Sequence, residues 1–225
     1  MTSELSPARR YRGADADERR AQRRCQLVAA AIQVYGERGY QHSTVKAVCE
    51  AAGLTERYFY ESFANSEALL AASFETVTQV LLQQLVAAGE AAGRSGRRRA
   101  LAMLQAYFGA LQRDPRSARV FLVEIQGVSK QVDEALDASL RGLGSLLAQA
   151  LLPAGEEPDA LLLAGATGGI MHVALRWIRN GYAPAVEQVA ATALQLALVI
   201  TRKPVVLAQQ AAPAGGTAPC LQAGV

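Results

Sequence analysis

Residues 43–70 read STVKAVCEAAGLTERYFYESFANSEALL, and the aromatic cluster inside them, Tyr58, Phe59, Tyr60 and Phe63, decides how the chain is read. Successive residues of a helix lie ~100° apart, so three adjacent rings cannot share one buried face. At least one must look outward. Phe59 and Phe63 are four apart and suit a common inward face, which leaves Tyr58 and Tyr60 on its flanks. Upstream, Ser43 or Thr44 is placed to cap a short helix with Val45, Val48 and Cys49 inward, Gly53 suits a tight turn, and Thr55 is placed to cap a second helix.

Working outward, Leu27, Val28, Ala31, Ile32 and Tyr35 recur at helical spacing and predict a first helix from about Asp17 to Arg38, ended by the turn-like GERGYQHS. Asn65 or Ser66 can cap a fourth helix, striped by Leu70, Phe74, Val77, Leu81 and Leu85. The break AAGRSGRRR reads as a loop feeding a helix with Leu101, Leu104, Phe108 and Leu111. Asp114-Pro115 opens another, with Val120, Phe121, Ile125 and Val128 behind it. A seventh runs from about Ser129 on Val132, Leu136, Leu140, Leu143 and Leu147 until LLPAGEEP interrupts it. Pro158 can open an eighth, Gly181 can end it, and Pro184 can open a ninth. No strand pattern, repeat or heptad appears. The fold class is therefore all-α, with about nine helices.

Composition agrees, because much of the 51% hydrophobic share is alanine, which favours helices. Cys25, Cys49 and Cys220 are odd in number and form no CxxC pair, so they suggest neither a disulfide framework nor a metal site, and a reducing cytoplasm is expected. The arginines of MTSELSPARRYRGADADERR have no apolar run behind them, so no secretory signal is read. ALLLAGATGGIMHVAL, residues 160–175, stops at Arg176, short of the ~18 to 20 residues of a membrane span, and predicts a buried helix and no membrane partner. Net charge is only +3, too small to prove a polyanionic partner. The positive residues are bunched, however: Arg9, Arg10, Arg12, Arg19, Arg20, Arg23 and Arg24 all precede the first apolar stripe. They suit phosphate binding or a solvated tail and helix face interleaved with Asp15, Asp17 and Glu18.

Two short helices about Gly53-Leu54 have the layout of a helix-turn-helix, whose first helix rests across a DNA backbone while the start of the second enters the major groove. A plain helical hairpin has the same spacing. The residues add what spacing cannot. Thr44-Val45, Val48-Cys49, Ala52-Gly53-Leu54-Thr55, Phe59-Tyr60, Phe63 and Glu67 with Leu69-Leu70 fall in the order of the DNA-binding signature of the tetracycline-repressor (TetR) family of bacterial transcriptional regulators, which residues 20 to 70 resemble. The resemblance implies a DNA-binding domain at 17–65 and a helical ligand-binding and dimerisation domain at 66–203, while charge and composition read residues 1–16 as a flexible basic arm and the Ala-, Pro- and Gly-rich residues 204–225 as an unfolded tail. It assigns phosphate contacts to Thr44, Thr55 and Tyr60, and base-reading positions to Arg57 and Tyr58, an arginine there being able to donate two hydrogen bonds to guanine. Two positions depart from the pattern: Ser66 stands where the family usually has lysine, and Ser62 where it often has histidine. Ser62 then offers a neutral contact, and binding leans on Lys46 and the arginines before residue 25.

In this family the later helices commonly hold a small-molecule pocket. The candidates here are Met103, Tyr107, Phe121, Glu124 and His172, most of which suit a core equally well and together suit a largely hydrophobic effector. Glu124 interrupts an apolar run and needs a partner, for which Arg176 or Arg179 is available. The last two helices, about 157–180 and 184–203, are apolar around more of their circumference than one core face absorbs, which favours a homodimer through them. With two histidines, no paired carboxylates at ligand spacing, no phosphate-cradling loop and no nucleophile elbow, neither catalysis nor a cofactor or metal is expected. A DNA-binding regulator, a repressor by family resemblance, is the first reading. An all-helical enzyme or an interaction module whose hairpin ignores DNA is the alternative.

Overall fold

A computed structural model of the protein describes residues 8–202, and the tail after Lys203 lies outside them, as do residues 1–7. Among the described residues the chain is all-helical, with nine α-helices: α1 (Ala8–Arg38), α2 (Val45–Ala52), α3 (Glu56–Ser62), α4 (Ser66–Ala91), α5 (Gly96–Arg113), α6 (Pro115–Arg119), α7 (Lys130–Leu151), α8 (Ala160–Arg179) and α9 (Val186–Ala197). Helices α1 to α3 form a small head, and α4 to α9 a body.

The terminators act as their chemistry predicts. Thr44 accepts a hydrogen bond from the Ala47 N–H at 3.1 Å, and Asn65 accepts one from the Ala68 N–H at 2.8 Å. Asp114 caps α6 ahead of Pro115, and Asp159 takes the N–H groups of both Leu161 and Leu162. Gly53 sits at φ 67°, a left-handed conformation that closes α2, and a side chain there would meet nothing within 4 Å. Backbone conformation alone calls for glycine.

Several boundaries differ from expectation. Helix α1 begins at Ala8, so residues 8–16, expected as an arm, continue the helix. Helix α5 starts at Gly96, inside the stretch read as a loop. Helix α8 starts behind its Asp159 cap rather than at Pro158. Helix α9 starts at Val186 rather than at Pro184, whose carbonyl accepts the Trp177 indole N–H at 2.6 Å. Behind α6 a π-helical turn (Val120–Glu124) sets Val120, Phe121 and Leu122 into the core, where Phe121 stacks on Phe74 at 5.5 Å.

The expectation that residues 160–175 form a buried helix needs correction. Helix α8 has 20 residues and, like α4, is long and apolar enough by length and composition to cross a membrane. In the fold it packs on α7 and α9, yet only 28% of its most apolar eighteen-residue stretch is buried in the single chain.

The head is joined to the body where the end of α1 crosses α6. Arg116 pairs with Glu37 at 2.6 Å. Arg119 donates to Glu124 at 2.7 Å, and the other oxygen of that carboxylate accepts the Tyr40 N–H at 2.7 Å. The partner of Glu124 is thus Arg119, one turn away, and not Arg176 or Arg179. The crossing is tight because Gly36 lies against the Arg116 backbone, where a Cβ would approach Arg116 Cα to 2.7 Å. We expect Gly36→Ala to destabilise the protein by about 1–3 kcal/mol, since backbone rather than a movable side chain is in the way. Urea unfolding checks this: the midpoint should fall with little change in slope.

Candidate nucleic-acid interface

Helix α3 has only seven residues and would not persist alone. Its position comes from burial. Phe59 is 0% exposed and Phe63 is nearly so, their rings 6.0 Å apart, against the α1 stripe of Leu27, Ala31 and Tyr35 and the α2 residues Val48 and Cys49. Burial pushes both the Cys49 thiol and the Tyr35 phenol up, which keeps them neutral in this core.

Arginines from α1 hold the other end of α3. Arg20 donates to the Glu61 carbonyl at 2.8 Å and Arg24 to the Ser62 carbonyl at 2.9 Å, so two of the four carbonyls that a helix end leaves unpaired receive cationic donors. The Arg24 guanidinium also lies 4.2 Å from the Phe63 ring centre, and that of Arg23 4.5 Å from the Tyr58 ring centre. These three arginines, expected to serve a DNA backbone, also hold α3 to α1.

The outward face of the unit carries the remaining candidates. Tyr60 is 62% exposed, its ring edge resting on Phe59 at 5.1 Å. Tyr58 is half-buried under Arg23 and presents less of its phenol than expected. Thr55 is exposed, and its side chain makes no capping hydrogen bond to the helix it precedes, although its carbonyl accepts the Tyr58 N–H at 3.0 Å. The Thr44 hydroxyl uses an acceptor position on Ala47, which leaves its proton free to donate. Lys46 is exposed and faces Glu50 at 4.0 Å. The Arg57 side chain is 84% exposed and donates to Glu61 at 3.0 Å. A surface pair of this kind is worth ~0–1 kcal/mol, whereas a bidentate contact to guanine discriminates by ~1–3 kcal/mol, so Glu61 does not prevent Arg57 from turning to a base.

Ser62 does not belong on this face. Its hydroxyl is buried without a hydrogen-bond partner, and its carbonyl is taken by Arg24, so it cannot reach a phosphate in this conformation. Sequence reasoning missed Tyr40. Its phenol lies 3.1 Å from the Ser66 hydroxyl, at the position where the resembled signature carries lysine, while its N–H holds Glu124. No local pattern marks that link, since its partners are 26 and 84 residues away.

The five ligand candidates do not converge. Met103 and Tyr107 are buried between α4, α5, α7 and α8 beside a cavity of about 20 Å³ with Leu143, Thr167 and Ile170, room for about one water. Burial alone pushes the Tyr107 phenol up and keeps it a neutral group there. Phe121 lines a different cleft, Glu124 belongs to the head–body joint, and His172 is exposed on α8.

A helix-turn-helix head with its second helix held by buried aromatics, carried on a larger helical body, defines the class of the protein. Residues 27–73 match the family model described as bacterial regulatory proteins, tetR family. Solved structures similar to the chain include the transcriptional regulator FadR from Bacillus subtilis in complex with stearoyl-CoA, at TM-score 0.66 and 19% identity over 79% of this chain and 97% of that one. They also include the fatty acid degradation regulator FadR from Bacillus halodurans, at TM-score 0.66 and 21% identity over 77% and 96%. A third is a transcriptional regulator from Pseudomonas aeruginosa PAO1, at 0.65 and 22% over 78% and 88%. No curated protein matches the chain. Residues 27–73 thus carry the pattern of the tetR-family model, and the described chain shares its fold with these solved transcriptional regulators.

Phe59→Ala should cost about 3–5 kcal/mol, the usual result of emptying a fully buried aromatic site. Hydrogen exchange should show the loss concentrated in α2 and α3, with the amides of α5 and α9 keeping their protection.

Proposed function

We propose that the protein is a transcriptional regulator, a repressor, that binds a palindromic DNA site as a homodimer and is released by a small, largely hydrophobic effector. The observation that carries this reading is the outward face of the head: Thr44, Thr55, Arg57 and Tyr60 are all exposed, while Phe59 and Phe63 point the opposite way. Hydroxyls at both helix starts suit phosphate oxygens, and Arg57 near the start of α3 lies where a side chain meets base edges in the major groove. Tyr58 serves as packing beneath Arg23 more than as a base reader.

The partner for the dimer is a second copy meeting α8 and α9. On α8 the exposed Leu161, Gly165, His172 and Arg176 recur at helical spacing along one side, and Leu161 is 84% exposed. A side chain at Gly165 or Gly168 would meet nothing within 4 Å, so that side has space for a neighbouring helix. Two heads so joined would read half-sites ~34–36 Å apart. The effector's class rests on the apolar lining around Met103 and Tyr107 and on the stearoyl-CoA held by the B. subtilis FadR structure. Since that cavity is nearly closed, an effector would act by selecting a state in which α7 and α8 stand further apart, and it lowers DNA affinity only by its preference for that state.

Anisotropy titration against DNA flanking the protein's own gene, at several salt concentrations, tests the function. Specific, salt-weakened binding is expected, and equal affinity for unrelated DNA would reject it. Within that assay Arg57→Ala should relax base preference, whereas Tyr60→Phe should weaken every sequence by a similar factor; the reverse pattern refutes these roles. Gly165→Arg should leave the helical content unchanged and shift the protein to monomer in sedimentation experiments. A dimer that survives the substitution assigns the interface elsewhere.

A further inference from the structure

Beside the head–body joint lies a cleft of about 270 Å³, separate from the cavity at Met103 and Tyr107. Its walls come from both parts of the molecule: Ile32 of α1 on one side, Val77 and Val80 of α4 and Ala110 of α5 on the others, with Phe121 behind. Val80 is 50% exposed, so an apolar surface opens to solvent here without a neighbour to cover it. The volume lies just under the ~300–1,000 Å³ of ordinary ligand pockets and suits a short chain better than a large ring system.

The polar groups stand at the mouth. Arg113 is exposed and has one hydrogen bond, a long one of 3.4 Å to Gln84, and no acidic partner among the described residues. The neighbouring Asp114 also lines the cleft, but both its oxygens are occupied: one accepts the Ser117 N–H at 3.1 Å and the other the Ser117 hydroxyl at 2.6 Å. The acid caps α6 and keeps its charge at the mouth, and the guanidinium has donors beyond the one on Gln84 with which to take a carboxylate.

We propose that this cleft binds a short aliphatic carboxylate, its chain between α1 and α4 and its head group on Arg113, as a second ligand site distinct from the body cavity. The walls belong to head and body alike, so an occupant fixes the spacing of α1 against α4 and α6. The Glu37–Arg116 pair and the Tyr40–Glu124 hydrogen bond that join the two parts are borne by the same helices or lie directly behind them.

Calorimetric titration of the full chain with octanoate, with octanol and octylammonium as controls, tests the site. Octanoate should bind saturably, once per chain, and protect amides of α1, α4 and α6 from exchange. Arg113→Gln should weaken it about tenfold, the effect of removing one charge-assisted hydrogen bond, and leave octanol unchanged. Val80→Trp, at an exposed position that tolerates a larger side chain, should abolish binding of both. The proposal is overturned if octanoate does not bind, if octylammonium binds as well, if neither substitution matters, or if protection falls on α7 and α8 instead.

Discussion

The structure of the head depends on the burial of two phenylalanines. Phe59 and Phe63 give α3 almost all the apolar surface it has to bury, and a helix of seven residues has no other means of holding an orientation. Once those rings face α1 and α2, the rest of the α3 surface is assigned: Tyr60 and Arg57 must face solvent. A rotation of α3 by one residue would bury a phenol and expose a phenyl ring, so the choice of face is strongly specified.

The arginines of α1 show how charge is used when a helix is this short. Arg20 and Arg24 bind the carbonyl end of α3, and Arg23 and Arg24 cover aromatic rings. Each such contact is worth on the order of 1 kcal/mol, and two of them at one helix end are comparable to what the seven-residue helix lacks in intrinsic stability. Each guanidinium keeps further N–H donors while it remains in these contacts. The outward face of the head carries hydroxyls, Lys46 and Arg57.

Beside the apolar packing of α1 on α4 and α6, head and body share a polar joint. Glu124 is nearly buried and divides its two oxygens between Arg119 of the body and the Tyr40 N–H of the head. Removal of either donor leaves a desolvated charge partly unpaired, so the joint favours one arrangement over a continuum of others. Gly36 allows the backbones to meet there. A change in how α6 sits would be felt at Tyr40 and the end of α1 through these contacts.

The all-helical class, nearly every helix, the caps at Thr44, Asn65 and Asp114 and the turn at Gly53 were legible in the sequence, because each depends on residues within about one helical turn of itself. The outward placement of Tyr60 followed from the same local geometry, as did the burial of Phe59 and Phe63. What the sequence left open was everything set by distant partners. Glu124 was legible as needing a cation, but Arg119 rather than Arg176 or Arg179 is beside it only because α6 continues through a π-helical turn and α1 crosses it at Gly36. The contacts of three arginines with α3, the burial of the Ser62 hydroxyl, the exposure of His172 and the separation of Met103 and Tyr107 from Phe121 were decided by tertiary packing. Periodicity reports which face of a helix is apolar, and only the docking of helices settles which other face it meets.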